Sequence, residues 1–138
     1  MKTTQQLKEC FTWTGGKFSA TFDVDLAKDL VKILGQAVQP TTQWTVAMAK
    51  EALSFNTEQR DPEAVKAADC TKPIIAVQIW NERTTRHEML IIDGWHRIEK
   101  FAGEGIGTLP CWVLPPMCAE SLIIDGALPK ESTKEKEE

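Results

Sequence analysis

At 138 residues, 42% hydrophobic and 26% charged, the chain has the make-up of a single soluble globular domain, and a core of that size is buried without disulfides or a structural metal. A formal net charge of -4 argues against broad electrostatic adhesion to nucleic acid, which rests on Lys and Arg neutralising phosphates, but it leaves room for a local basic pocket. The four cysteines, Cys10, Cys70, Cys111 and Cys118, show no CxxC spacing, so neither a zinc knuckle nor a thioredoxin-type motif is present and the thiols read as reduced and mostly buried.

Residues 9–22, ECFTWTGGKFSATF, place Phe11 and Trp13, then Phe18 and Phe22, on either side of Gly15 and Gly16. Aromatic and β-branched residues around a Gly-Gly pair predict a hairpin. Residues 23–35, DVDLAKDLVKILG, predict a helix capped by Asp23 or Asp25 and stopped by Gly35, with Leu26, Leu30, Ile33 and Leu34 as its apolar stripe. Residues 40–55, PTTQWTVAMAKEALSF, open on proline and two threonines, start signals for a second helix. Trp44, Met48, Glu51 and Leu53 form no clean stripe, which predicts partial exposure. A polar loop follows, then a short helix with Asp61 as N-cap and Pro62 at its first position, and a boundary at Pro73.

The second half is β-rich. Residues 73–80, PIIAVQIW, and 87–93, HEMLIID, read as strands around a polar turn at 81–86. The Leu90-Ile91-Ile92 run predicts burial on both faces. After Gly94, Ile98, Phe101 and Ala102 fall at helical spacing, and Gly103 and Gly105 end the pattern. Residues 109–116, LPCWVLPP, give a last short strand ended by prolines, followed by a weak helix or strand over 119–124. Residues 129–138, PKESTKEKEE, are uniformly polar and predict a disordered tail. The order ββ-α-α-α-β-β-α-β predicts an α+β fold, one domain over residues 1–128. The N-terminus lacks the apolar core of a signal peptide, and no apolar run approaches the roughly 20 residues that span a bilayer, so a cytoplasmic protein without membrane contact is expected.

The chemistry-bearing stretch is LIIDGWHRIEKFAGEG, residues 90–105. A strand stops at Asp93 and Gly94, and Trp95, His96 and Arg97 open a helix. The first turn of a helix offers unpartnered N–H groups and a partial positive charge, a combination suited to phosphate. Gly94 permits a sharp turn. Arg97 adds a fork of donors that matches phosphate oxygens, and His96 a group that titrates near neutral pH. Asp93 caps the helix or holds a divalent ion beside phosphates. The purely structural alternative has Asp93 as a cap, Trp95 as a packing residue and Arg97 paired with Glu88 or Glu99.

Residues 72–114 resemble the ParB/sulfiredoxin superfamily. The features that carry the resemblance are Pro73-Ile74, the Ile92-Asp93-Gly94-Trp95-His96-Arg97 step, Ala102 with Gly105, and Leu109-Pro110-Cys111-Trp112-Val113, in that order. The resemblance implies a small mixed sheet with helices packed around it. It also implies a nucleotide site, for ATP or CTP, at Gly94, Trp95, His96 and Arg97. Sulfiredoxins carry their cysteine nucleophile where Trp95 stands, so sulfinic-acid reduction is not expected. Chromosome-partitioning ParB proteins carry a metal-holding glutamate there and continue into a DNA-reading region that does not follow here, so CTP switching and site-specific DNA reading are not expected either.

The stand-alone ParB-like proteins remain, some of them described as nucleases or ATPases. On that reading Arg97 binds phosphate, His96 positions the phosphoryl group or protonates the leaving oxygen, and Asp93 is the available base. Mg²⁺ would be held by Asp93 and Glu88, and the ligand would be a nucleotide or a nucleic-acid strand. The alternative is a non-catalytic module that binds a protein partner through exposed tryptophans such as Trp44 and Trp95. His87 and His96, the only histidines, have no metal-ligand spacing. Arg83 and Arg86 flank the hairpin turn as solvated residues or as contacts to a nucleic-acid strand.

Overall fold

A computed structural model describes residues 9–34, 42–56, 59–104 and 107–130. The elements in chain order are β1 (Cys10–Gly15), β2 (Phe18–Asp23), α1 (Val24–Leu34), β3 (Thr42–Trp44), α2 (Val46–Phe55) and α3 (Pro62–Ala67), then β4 (Ile74–Asn81), β5 (Arg86–Asp93), α4 (Trp95–Glu104), β6 (Leu109–Leu114), α5 (Pro116–Ser121) and β7 (Ile123–Gly126). The expected α+β class holds, with two sheets rather than one. The first sheet has the order β1-β2-β7 and the second β3-β6-β4-β5. All pairings are antiparallel except β4 with β6, which run parallel.

The β1–β2 hairpin turns at Gly16, whose φ of +60° is open to glycine at no steric cost. Between the two candidate caps of α1, Asp23 takes the role: its Oδ1 accepts the Leu26 N–H at 3.0 Å. Asp25 instead accepts the Glu9 N–H at 3.0 Å and ties the chain before β1 to the helix. The buried side of α1 is built from Val24 and Ala27, with Leu30 and Val31 half-buried. Leu30 packs on the first core as expected, but Leu26 is 39% and Ile33 73% exposed, and the side chain of Leu34 lies outside the described residues. The packing partners of α1 favour the 24/27/31 row, because that row faces the core. Gly35 lies outside the described residues.

Thr42–Trp44 was expected as helix and is strand. It pairs with β6, placing Trp44 opposite Leu109. The helix starts one residue after Thr45, whose hydroxyl accepts the Met48 N–H at 3.3 Å. The α3 start matches expectation: Asp61 accepts the Glu63 N–H at 3.2 Å and Pro62 is the first helical residue. The weak segment expected over 119–124 resolves into the end of α5 and the start of β7.

β4 carries the core on both faces. Ile75, Val77 and Ile79 pack with Phe22 of β2, Ala27 of α1 and Leu122. Ile74 and Ala76 pack on the other side with Ala49 of α2 and Ile98 and Phe101 of α4. β5 divides in the same way, Ile92 to the first core and Ile91 to the second, as its apolar run predicts. Leu128 and Pro129 are buried, so ordered chain reaches into the segment read as a tail; residues 131–138 lie outside the described residues. Among the described residues no helix is long and apolar enough to cross a membrane.

Candidate functional site

The strand-to-helix step stands where the sequence places it. Gly94 joins β5 to α4 with a φ of +105°. The Ile98 N–H bonds to the Gly94 carbonyl at 2.9 Å, so the amides of Trp95, His96 and Arg97 precede the first helical bond of α4. A cleft of about 300 Å³ opens here, lined by Asp93, Gly94, Trp95 and His96 together with Glu9, Arg60 and Asp61. His96 is exposed.

Arg97 does not line this cleft. Its Nη1 donates to the Pro73 carbonyl at 2.6 Å, tying α4 to the start of β4. Its backbone carbonyl accepts the Cys70 Sγ–H at 3.5 Å. The expected pairing with Glu88 or Glu99 does not form. Glu99 binds Arg60 at 2.6 Å. Glu88 accepts from the Asn81 amide at 2.8 Å and the Thr84 hydroxyl at 3.0 Å, and these two bonds hold its carboxyl below the usual range.

Asp93 and Glu9 line the same cleft. Burial pushes the Asp93 carboxyl above the usual range; Lys28 pulls it back and Glu9 adds to the rise. Lys28 binds Glu9 directly at 2.7 Å. Asp93 and Glu88 are five residues apart on one strand, roughly 16 Å at 3.3 Å per residue, and they line different clefts. They do not converge on one ion. Among the described residues no group of three His, Cys, Asp or Glu side chains is arranged to hold a metal. His87 is not near His96; it packs edge-on against Trp80 at 5.1 Å between ring centres.

Sequence reasoning missed Arg60. It sits in the loop before α3, with its guanidinium 5.9 Å from the Trp95 ring centre and its Nη2 donating to the Asn56 carbonyl at 3.3 Å. Nothing in a loop arginine among polar neighbours signals that role, because its partners are distant in sequence. With Arg60 in place, Trp95 already has a cation over its ring and packs on the second core. The cleft therefore has three carboxylates, Glu9, Asp61 and Asp93, against one guanidinium.

A wider cleft, about 1000 Å³, shares Phe11 and Trp95 with the first. Its walls are residues 11–14 of β1, residues 88–91 of β5 and one face of α2, with Trp44 and Trp95 between them. Trp44, expected to be exposed, is 5% exposed. The Nε1 groups of Trp44 and Trp95 are buried and have no acceptor. Comparison with protein-family models, curated proteins and solved structures returns no match.

Proposed function

We propose that this domain works by binding a protein partner rather than by turning over a nucleotide. The observation that carries this reading is the make-up of the wider cleft: tryptophan rings, Phe11, Met48 and two strand edges, with two carboxylates and no lysine or arginine in its wall. Aromatic and methionine side chains are the residues that anchor protein interfaces. The helix-start cleft supports the reading from the other side. A phosphate there meets three carboxylates, and the arginine of the motif is committed to the Pro73 carbonyl.

A second reading keeps a nucleotide phosphate at the start of α4, with ATP or CTP as ligand and weak ATPase or nuclease activity. The three leading amides of α4 and the exposed His96 favour it, as does the resemblance to the ParB/sulfiredoxin superfamily. Mg²⁺ would then have to offset the carboxylates, with Asp93 and Glu9 at hand. Thermal melts with ATP, CTP and a short single-stranded oligonucleotide, each with and without Mg²⁺, separate the two. A bound nucleotide at 100 times its dissociation constant adds about 2.7 kcal/mol, a rise of roughly 8–14 °C for a domain near this size. The protein-binding reading expects no such rise. A rise that His96→Ala and Arg60→Ala abolish would put the nucleotide reading in its place.

A further inference from the structure

β1 is the edge of the first sheet and β5 the edge of the second, and among the described residues neither has a neighbour on its outer side. Four consecutive residues of each, 11–14 and 88–91, line the same cleft. Consecutive residues in a wall mean that the backbone edge itself takes part, since side chains of one strand alternate between faces. Two ladders of N–H and C=O groups thus border one gap. Unpaired edges of this kind are templates for a further strand.

We infer that this gap takes an extended, basic segment of a partner protein as an added strand between β1 and β5, joining the two sheets into one. The inference rests on the protein-binding reading and names its partner. The size agrees. Four residues of strand, about 13 Å long, 4.8 Å wide and 10 Å through the side chains, occupy roughly 630 Å³, and the cleft offers about 1000 Å³. Charge decides the chemistry of the segment. Glu51 of α2 and Glu88 of β5 line the cleft, and no lysine or arginine lines it; Arg86, 75% exposed, reaches Glu88 only at 4.0 Å, so the wall is net acidic, lysine or arginine is matched and glutamate is repelled. The rings of Trp44 and Trp95 line the cleft and give the side chains of the added strand an aromatic wall to pack on.

The test uses the full chain and a labelled octapeptide of alternating valine and lysine, read by fluorescence anisotropy and by the emission of the cleft tryptophans. Two further peptides carry N-methyl groups on every valine or on every lysine. Each set removes the hydrogen-bond donors along one edge of the strand. A fourth peptide has glutamate in place of lysine. Binding of the first peptide, with at least a tenfold loss for each of the other three, is the expected result. Glu51→Lys, a change on an exposed helix position, should weaken the lysine peptide at least fivefold and favour the glutamate one. If one methylated set binds as well as the parent, the segment adds to a single edge and the bridging strand is overturned. If both do, main-chain recognition is overturned while protein binding stands. No binding, or a dimer that the peptide disperses, means that this chain itself fills the gap or that the gap takes no strand, and either overturns the inference. The protein-binding reading itself falls separately, by the nucleotide melts.

Discussion

Gly94 has no room for a side chain, and the obstacle is the core rather than a ligand. A Cβ added there would collide with Ile74 Cγ2 and come within 2.8 Å of Ile74 Cβ and 3.2 Å of its Cα. Ile74 is fully buried, so it has nowhere to retreat. Two costs add in Gly94→Ala. A side chain at φ +105° costs about 1–3 kcal/mol in backbone strain. Overpacking against a closed core costs about 1–3 kcal/mol more. The sum, about 2–6 kcal/mol, is a large part of a total stability of about 5–15 kcal/mol. At roughly 3–5 °C per kcal/mol for a domain near this size, the melting point falls by at least about 6 °C. Far-UV circular dichroism melts measure this directly. Removing Cγ2 with Ile74→Ala costs stability alone, about 2–5 kcal/mol, but it removes the shortest of these contacts, leaving those to Cβ and Cα. The double variant should therefore be less damaged than the sum of the singles by about 1 kcal/mol or more. A Gly94→Ala melt within about 2 °C of wild type, or strict additivity with Ile74→Ala, would refute the steric argument.

Gly103 is the opposite case: it lies inside α4 with nothing within 4 Å of an added Cβ, so Gly103→Ala should stabilise by about 0.4–1 kcal/mol, read as a higher denaturant midpoint with unchanged slope. Asp93 is held above the usual carboxyl range chiefly by burial; its favourable contribution is complete below the unfolded value and is lost as pH rises through the raised one. Asp93→Asn should accordingly melt higher than wild type near neutral pH, with an advantage that shrinks on acidification towards about pH 4; an advantage that grows in acid would contradict the sign. Burial pushes the Cys111 thiol up to about 12, whereas Cys10 is exposed. Iodoacetamide at neutral pH should alkylate Cys10 in the folded protein and reach Cys111 only after unfolding, as peptide mass mapping can check.

The parts of the fold legible in the sequence are those fixed by local chemistry. Gly15-Gly16 announces the hairpin, Asp61-Pro62 the start of α3, and Ile98, Phe101 and Ala102 the buried face of α4. β3 was hidden because three residues with helix-start chemistry become strand only by pairing with β6, more than sixty residues away. Of the α1 stripe Leu30 packs on the core, but Leu26 and Ile33 have the right hydrophobicity and face away from it, because only tertiary packing chooses the row. The site divides the same way. Gly94 and the amides behind it follow from the local motif. Arg97 bonding to Pro73, Arg60 over Trp95 and Glu9 against Asp93 are all long-range contacts. Each changes what the motif can do: the first withdraws a cation, the second occupies an aromatic face, and the third adds negative charge.

The β1–β2 hairpin is an early sequence element, yet the strand that completes its sheet is β7, with Ala20 opposite Gly126, about 100 residues later. Closing a loop of that length costs roughly 4 kcal/mol in chain entropy. During synthesis at about 5–20 residues per second, the hairpin waits several seconds for its third strand. Phe22 and the half-buried Phe11 and Trp13 find their common core only when Val77, Leu114 and Leu122 have also arrived. This hairpin is made before the rest of the fold yet is among the last parts to be locked, and a nascent chain stalled before β7 presents an unpaired aromatic hairpin.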